Sequence, residues 1–310
     1  MKNSEFSNFG HFDFMKMSPI MGGVSLLMLV LSIAVISAKG FNYGIDFSGG
    51  TEMQLKFNSA PDVEGIRKKL TDIGVQGASV QLFGTENEVL IRMLQAEGAD
   101  TTEINKNSQT RMSKITESMA QDMGLSSDGL RRVDSVGPQV GQELKTQALL
   151  SIFYSLMVIL IYIGLRFDFR YSPGAVICLF HDTIVVLGIF SLFGREINLQ
   201  VLAGILTLIG YSLNDTIIVF DAIRSNEPIY KEKGLDFVIN KSTNQMLVRT
   251  ILTAGTTLLS CAFLYFIGTG VIKDIAFTLG VGIILGTYSS IYVASPLIPL
   301  TEKFLKKVSV

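Results

Sequence analysis

Six runs of about 20 predominantly apolar residues dominate this sequence, and that length matches the thickness of hydrocarbon a helix must cross. They are expected at 20–38, 144–165, 173–193, 197–222, 246–267 and 272–300. A spanning segment has to satisfy its backbone hydrogen bonds internally, which leaves only helices or closed barrels. Runs this long and evenly apolar select helices. Composition agrees, because 48% of the 310 side chains are hydrophobic and only 17% are charged, too apolar a balance for a soluble chain of this size. The expected architecture is a membrane all-α six-helix bundle. The first run also shares features with a cleavable signal peptide, since Ser37 and Ala38 follow its apolar core. The length of that core and the bulky Ile36, where a small side chain is preferred, favour an uncleaved anchor.

Lys and Arg in short loops stay on the cytoplasmic side. Lys2 and Lys16 precede the first run, Arg166 and Arg170 follow the second, Arg224, Lys231, Lys233 and Lys241 follow the fourth, and Lys303, Lys306 and Lys307 close the chain. The intervening short loops carry only Arg195 and Lys273. Both termini, 1–19 and 301–310, are therefore expected in the cytoplasm, and segment 39–143 outside. A net charge of −1 gives no basis for nucleic-acid binding. Cys178 and Cys261 lie inside apolar runs, and neither has a second Cys or His at ligand spacing, so both read as packing residues. No metal, cofactor or enzymatic chemistry is expected.

The outer segment alternates strand-like and helix-like stretches. Thr51 to Phe57 reads as a strand, followed by a helix that opens at Ser59-Ala60-Pro61 and stops at Gly74. Strand-like Ala78 to Phe83 and Glu88 to Met93 flank a turn at Gly84 to Asn87, a polar helix follows from Glu103 to Met123, and Leu130 to Val136 reads as a last strand. The order β-α-β-β-α-β predicts an inserted α+β domain of the ferredoxin-like, split βαβ kind. The segment contains no His and no Cys, so binding or mechanical work is expected there rather than catalysis. A spacer is the plainer alternative. Against it stands YGIDFSGGT, Tyr43 to Thr51, in which Gly49 and Gly50 permit backbone geometry closed to other residues and Asp46 sits among apolar neighbours.

Ionisable side chains within the apolar runs are costly and mark functional candidates. The fourth run carries Asn214-Asp215 within GYSLNDTIIVFD, from Gly210 to Asp221, the third carries His181-Asp182, and the fifth carries Arg249. At 1.5 Å per residue, Asp215 falls roughly 10 Å above the cytoplasmic end of its helix, Asp182 about 12 Å in, and Arg249 about one turn in. The three are thus expected at comparable depth in the cytoplasmic half. For Asp215 the readings are ion or proton binding, modulated by a nearby Arg249, or a structural bond to a neighbouring helix. Arg249 acts as its counter-charge or snorkels to the surface. His181 and Asp182 form a proton relay or a pair that holds helices together. Asp221 and Arg224 are expected to help terminate the fourth helix. In the sixth run Thr278, Gly282, Gly286, Ser290 and Ala294 recur every fourth residue, a small-residue stripe for close helix packing or for a moving or intersubunit face.

Together, YGIDFSGGT, the HD pair, GYSLNDTIIVFDAIR and Arg249-Thr250 resemble the SecF branch of the SecD/SecF family of protein-export subunits, within the resistance-nodulation-division superfamily. The likeness covers almost the whole chain. It departs at Ala222 and Ser225, where the family commonly has Arg and Glu, and this puts only the cytoplasmic exit contacts in doubt. The resemblance implies pairing with SecD in a twelve-span assembly of a bacterial inner membrane, association with the SecYEG channel and with YajC, and handling of unfolded exported polypeptide. It further implies use of the proton or sodium gradient, with Asp215 and Arg249 as coupling residues. Rival readings are a half-size small-molecule exporter, a scaffold without ion coupling, and an aspartyl protease built on Asp182 and Asp215. The last lacks the GxGD pattern such proteases show.

Overall fold

The computed structural model describes residues 12–75, 77–83, 87–94, 101–268 and 270–308. The expected turn at Gly84 to Asn87 falls largely outside the described residues, as does Lys2. Helix α1, Phe14–Lys39, begins earlier than its apolar run because its first amides find acceptors. Asp13 accepts from Lys16 N at 3.1 Å, and Asn240 and Asn244 of a distant helix accept from Met15 N and Phe12 N, both at 3.0 Å. It ends at Gly40, whose φ of 69° turns the chain.

Strand β1, Asn42–Tyr43, pairs in parallel with β6, Glu196–Ile197, which lies just before a later membrane helix. A single turn, α2 (Ile45–Ser48), then leads into β2, Gly50–Phe57. The inserted sheet domain continues with α3 (Val63–Asp72), β3 (Ser79–Leu82), β4 (Glu88–Leu94), α4 (Thr101–Asp122) and β5 (Leu125–Val136), the expected element order. The sheet order is β3-β4-β2-β5, with each neighbouring pair antiparallel. Along β2 burial alternates, so Met53, Leu55 and Phe57 point to one face and pack with Val89 and Ile91 of β4, Ile66 and Leu70 of α3, and Ile115 and Met119 of α4. Two differences from expectation have local causes. Helix α3 opens at Asp62, whose side chain caps Glu64 N at 3.1 Å, rather than at Ser59. Strand β5 starts at Leu125 because register shifts against β2 accommodate its polar start, which lacks alternation.

The remaining chain forms α5 (Pro138–Arg166), α6 (Ser172–Leu192), α7 (Leu199–Asn226), α8 (Leu235–Ile267), α9 (Val271–Ser289), a π-helical turn at Ser290–Ala294, and α10 (Ser295–Val308). Among the described residues these and α1 supply six helical spans, the last running through α9 and α10, so the chain is a multi-pass membrane protein with a small sheet domain. Helices α6, α7 and the last span bury 61, 50 and 56% of their apolar windows, against 11, 11 and 17% for α1, α5 and α8. Three helices therefore form the interior, and the others present leucines and phenylalanines outward. Helix α7 runs four residues beyond its expected end at Ala222, with Arg224 in its last turn. Helix α8 begins well before Met246, which places Arg249 roughly 20 Å along it rather than one turn in.

The small-residue stripe packs within the bundle. A Cβ on Gly282 would strike Leu208, one on Gly286 would lie 3.0 Å from Ser212 Cβ, and Thr278 lies equally close to Gly204, so α9 rests directly on α7. The π turn lies against α6, where a Cβ on Gly174 would come within 2.6 Å of the Ala294 carbonyl oxygen.

Candidate functional site

Polar side chains converge where α6, α7 and α9 meet. Asp182, on the buried face of α6, takes hydrogen bonds at one carboxylate oxygen, Oδ2, from Ser212 Oγ (2.6 Å) and Ser289 Oγ (2.8 Å). Its other oxygen lies 3.0 Å from His181 Nδ1. The Cys178 thiol donates to Ser289 Oγ at 3.0 Å, and Thr216 and Ser290 hydroxyls meet at 2.9 Å. Asp182 is therefore a well-supported carboxylate whose donors come from two other helices. Asp182 thus joins α6 to two other helices through hydroxyls, while its contact with His181 stays within α6. His181 Nε2 is buried and has no hydrogen-bond partner.

Asp215 lies one turn from Ser212 on α7 and has no exposed surface. Its surroundings are poorer. Thr287 Oγ1 donates to Oδ2 at 3.3 Å, and Oδ1 is buried without any hydrogen-bond partner. A bare carboxylate in such a place costs several kcal/mol unless a proton or a cation neutralises it.

Arg249 is not that cation. It is exposed, makes no ion pair or hydrogen bond with Asp215, and lines an outer groove of about 510 Å³ between α7 and α8 with Ala222, Ser225, Gln245 and Met246. Asn214 also faces outward, away from its neighbour Asp215. Position along a helix axis carries no information on which way a side chain points. Near the same groove Asp221 pairs with Arg224 at 2.9 Å and Arg166 at 3.4 Å, tying α7 to the end of α5. Glu227 holds Arg170 through two bonds of 2.7 and 2.6 Å.

Of the motif residues, Asp46 accepts a hydrogen bond from Leu199 N at 3.0 Å, and with Asn198 it satisfies the first amides of α7. Gly49 has φ of 71°, and a Cβ there would stand 2.9 Å from Pro138 Cα. Gly50 has φ of 146°. Gly210 meets nothing within 4 Å of a built Cβ, so packing does not require it. Among the described residues no group of three or more His, Cys, Asp or Glu could hold a metal ion, and both cysteines are free. The residues that sequence reasoning missed are Ser212, Thr287, Ser289 and the polar use of Cys178. Their one signal was position, since Cys178 precedes Asp182 by four residues and Ser212 precedes Thr216 by four, which stacks each pair on one helix face.

A helical bundle with carboxylates at its centre and a small sheet domain inserted between its first two spans defines a class of multi-pass membrane protein. The family model for the C-terminal part of SecD/SecF protein-export membrane proteins matches residues 115–303, and the model of the SecD/SecF GG motif matches residues 34–61. The protein translocase subunit SecF of Desulfurispirillum indicum is 44% identical over 94% of this chain and 91% of its own length, and that of Escherichia coli O157:H7 is 36% identical over 92 and 86%. The crystal structure of SecDF from Thermus thermophilus, described as a translocon-associated membrane protein, superposes with a TM-score of 0.84 at 33% identity. It covers 95% of this chain, which spans 39% of that solved chain. A structure of SecDF in a super-membrane-facing form gives a TM-score of 0.69 at the same identity. This chain belongs to the SecD/SecF family of protein-export membrane proteins, on its SecF side.

Proposed function

We propose that the chain is an accessory subunit of the Sec translocase that pairs with a SecD-type protein and uses an ion gradient to promote export of unfolded polypeptide through SecYEG. The observation that carries this reading is Asp215, a fully buried carboxylate with one oxygen unpartnered, set one helical turn along α7 from Ser212, which donates to the well-bonded Asp182 of α6. Two buried carboxylates on neighbouring helices, so differently served, suit a site where one holds the helices and the other takes up and releases a proton or sodium ion. Asn214 and Arg249 face outward from α7 and α8, where a lipid environment disfavours them, so a partner helix of the SecD type fits that face. Arg249 then acts on charge across the subunit contact rather than on Asp215 directly.

The remaining assignments rest on the family. They are a bacterial inner membrane, both termini in the cytoplasm, and no catalytic activity or cofactor beyond the transported ion, with YajC as a further associate. The sheet order β3-β4-β2-β5 with both helices on one face supports the ferredoxin-like reading of the outer domain. The test is gradient-driven export in vesicles, with proton and sodium gradients collapsed separately. Asp215→Asn is expected to abolish the gradient-dependent stimulation while assembly with SecD persists, and Arg249→Met to weaken it. Full stimulation in Asp215→Asn would refute coupling and leave a scaffold role. A stable homodimer that moves a small molecule would point to the exporter reading instead.

A further inference from the structure

The outer domain is joined to the bundle through the chain on one side and through side chains on another. The chain enters through Gly49-Gly50 and leaves through Gly137 into α5, and these crossings lie against each other at Gly49 and Pro138. Elsewhere, Arg92 of β4 is only 7% exposed, and its guanidinium has two carboxylate partners. One nitrogen donates to Glu52 Oε2 at 2.7 Å, and another pairs with Glu196. Glu52 sits directly across from Arg92 within the sheet of the outer domain. Glu196 belongs to the membrane unit, in β6, two residues before Asn198 caps α7. Close by, Phe83 from the outer domain packs on Gly270 at the start of α9. A polar cavity of about 290 Å³ at this junction is lined by Arg92, Glu52 and Glu196, with Asp46, Asp134 and Asp274.

We propose that Arg92 and Glu196 form a charge latch that ties the outer domain to the outer end of α7, the helix that carries Asp215. Closed, the latch makes the domain and α7 move together. Open, the domain pivots at the glycine crossings. The pair is suited to this because an Arg shared between two carboxylates stays paired when it gives up one. Removing Glu196 leaves Arg92 bonded to Glu52, which avoids much of the cost of a lone buried charge. The two states thus differ by this ion pair and the neighbouring Phe83–Gly270 contact across the junction, few enough interactions for a bistable contact. As a transmission element the latch rests on the ion-coupling reading, while its holding action does not.

The test uses the chain assembled with its SecD-type partner in nanodiscs, with spin labels on Lys68→Cys in the outer domain and Phe193→Cys at the outer end of α6. Both positions are exposed, whereas native Cys178 and Cys261 are buried. Glu196→Gln is expected to broaden the interspin distance distribution and to raise the open population by about tenfold or more. Glu52→Gln, which leaves the latch intact, is expected to keep the wild-type distribution. In gradient-driven export, Glu196→Gln should reduce stimulation several-fold. A wild-type distance distribution in Glu196→Gln, or equal broadening in Glu52→Gln, overturns the latch. Broadening confined to Glu196→Gln, together with normal export by Asp215→Asn, keeps the latch and removes the ion-coupling reading.

Discussion

Ser212 Oγ, on α7, donates to Asp182 Oδ2, on α6, at 2.6 Å, the shortest of the hydroxyl bonds that knit the bundle centre. Ser289 of α9 donates to the same oxygen at 2.8 Å, so one carboxylate atom gathers three helices.

Ser212→Ala removes one of these donors and leaves a fully buried carboxylate less well bonded. The expected loss is about 1–3 kcal/mol, seen as a lower thermal midpoint in detergent. Ser289→Ala should behave alike. Because both serve the same oxygen, the double variant is expected to depart from additivity by about 0.5–3 kcal/mol, and strict additivity would mean that the two bonds do not share a load.

Two glycines of the bundle should respond differently to alanine. At Gly282 the new Cβ meets the tip of Leu208, which can rotate away, and the gain in helix propensity of about 1 kcal/mol offsets the crowding. At Gly174 it meets a backbone carbonyl, Ala294 O, at 2.6 Å, which cannot move without shifting the π turn. Gly174→Ala should therefore cost about 1–3 kcal/mol while Gly282→Ala stays near neutral, as thermal unfolding of the two variants will show.

Tyr171, in the loop between α5 and α6, is fully buried, and that burial pushes its phenol from 10.0 up to about 12. An unfolded tyrosine ionises near 10, so between about pH 10 and 12 the folded state binds more protons than the unfolded one. Stability held below that window is then lost as pH rises through it. Tyr171→Phe should remove this contribution to the alkaline slope, measured as the thermal midpoint against pH, and an unchanged slope would count against it.

Hydropathy is local, so the six spans and the order of strands and helices outside could be read from the chain. Gly49 and Gly50 announced an unusual backbone, and Asp215 announced a cost, because each is a property of a residue and its near neighbours. Helix ends were less legible. Helix α1 reaches back to Phe14 because Asn240, more than two hundred residues away, accepts from Met15 N in its first turn. The largest difference concerns Arg249. Counting 1.5 Å per residue estimates depth along an axis, but each residue also turns the side chain by about 100°. Which side faces the core depends on how whole helices pack, and packing of Gly282 and Gly286 against Leu208 and Ser212 turned Asp215 inward towards Thr287. Arg249 was left on the outside. The sequence specified which residues are expensive in a membrane. Only the packing of α6, α7 and α9 decided which of them meet, since contact depends on rotation and crossing of distant helices that no single segment encodes.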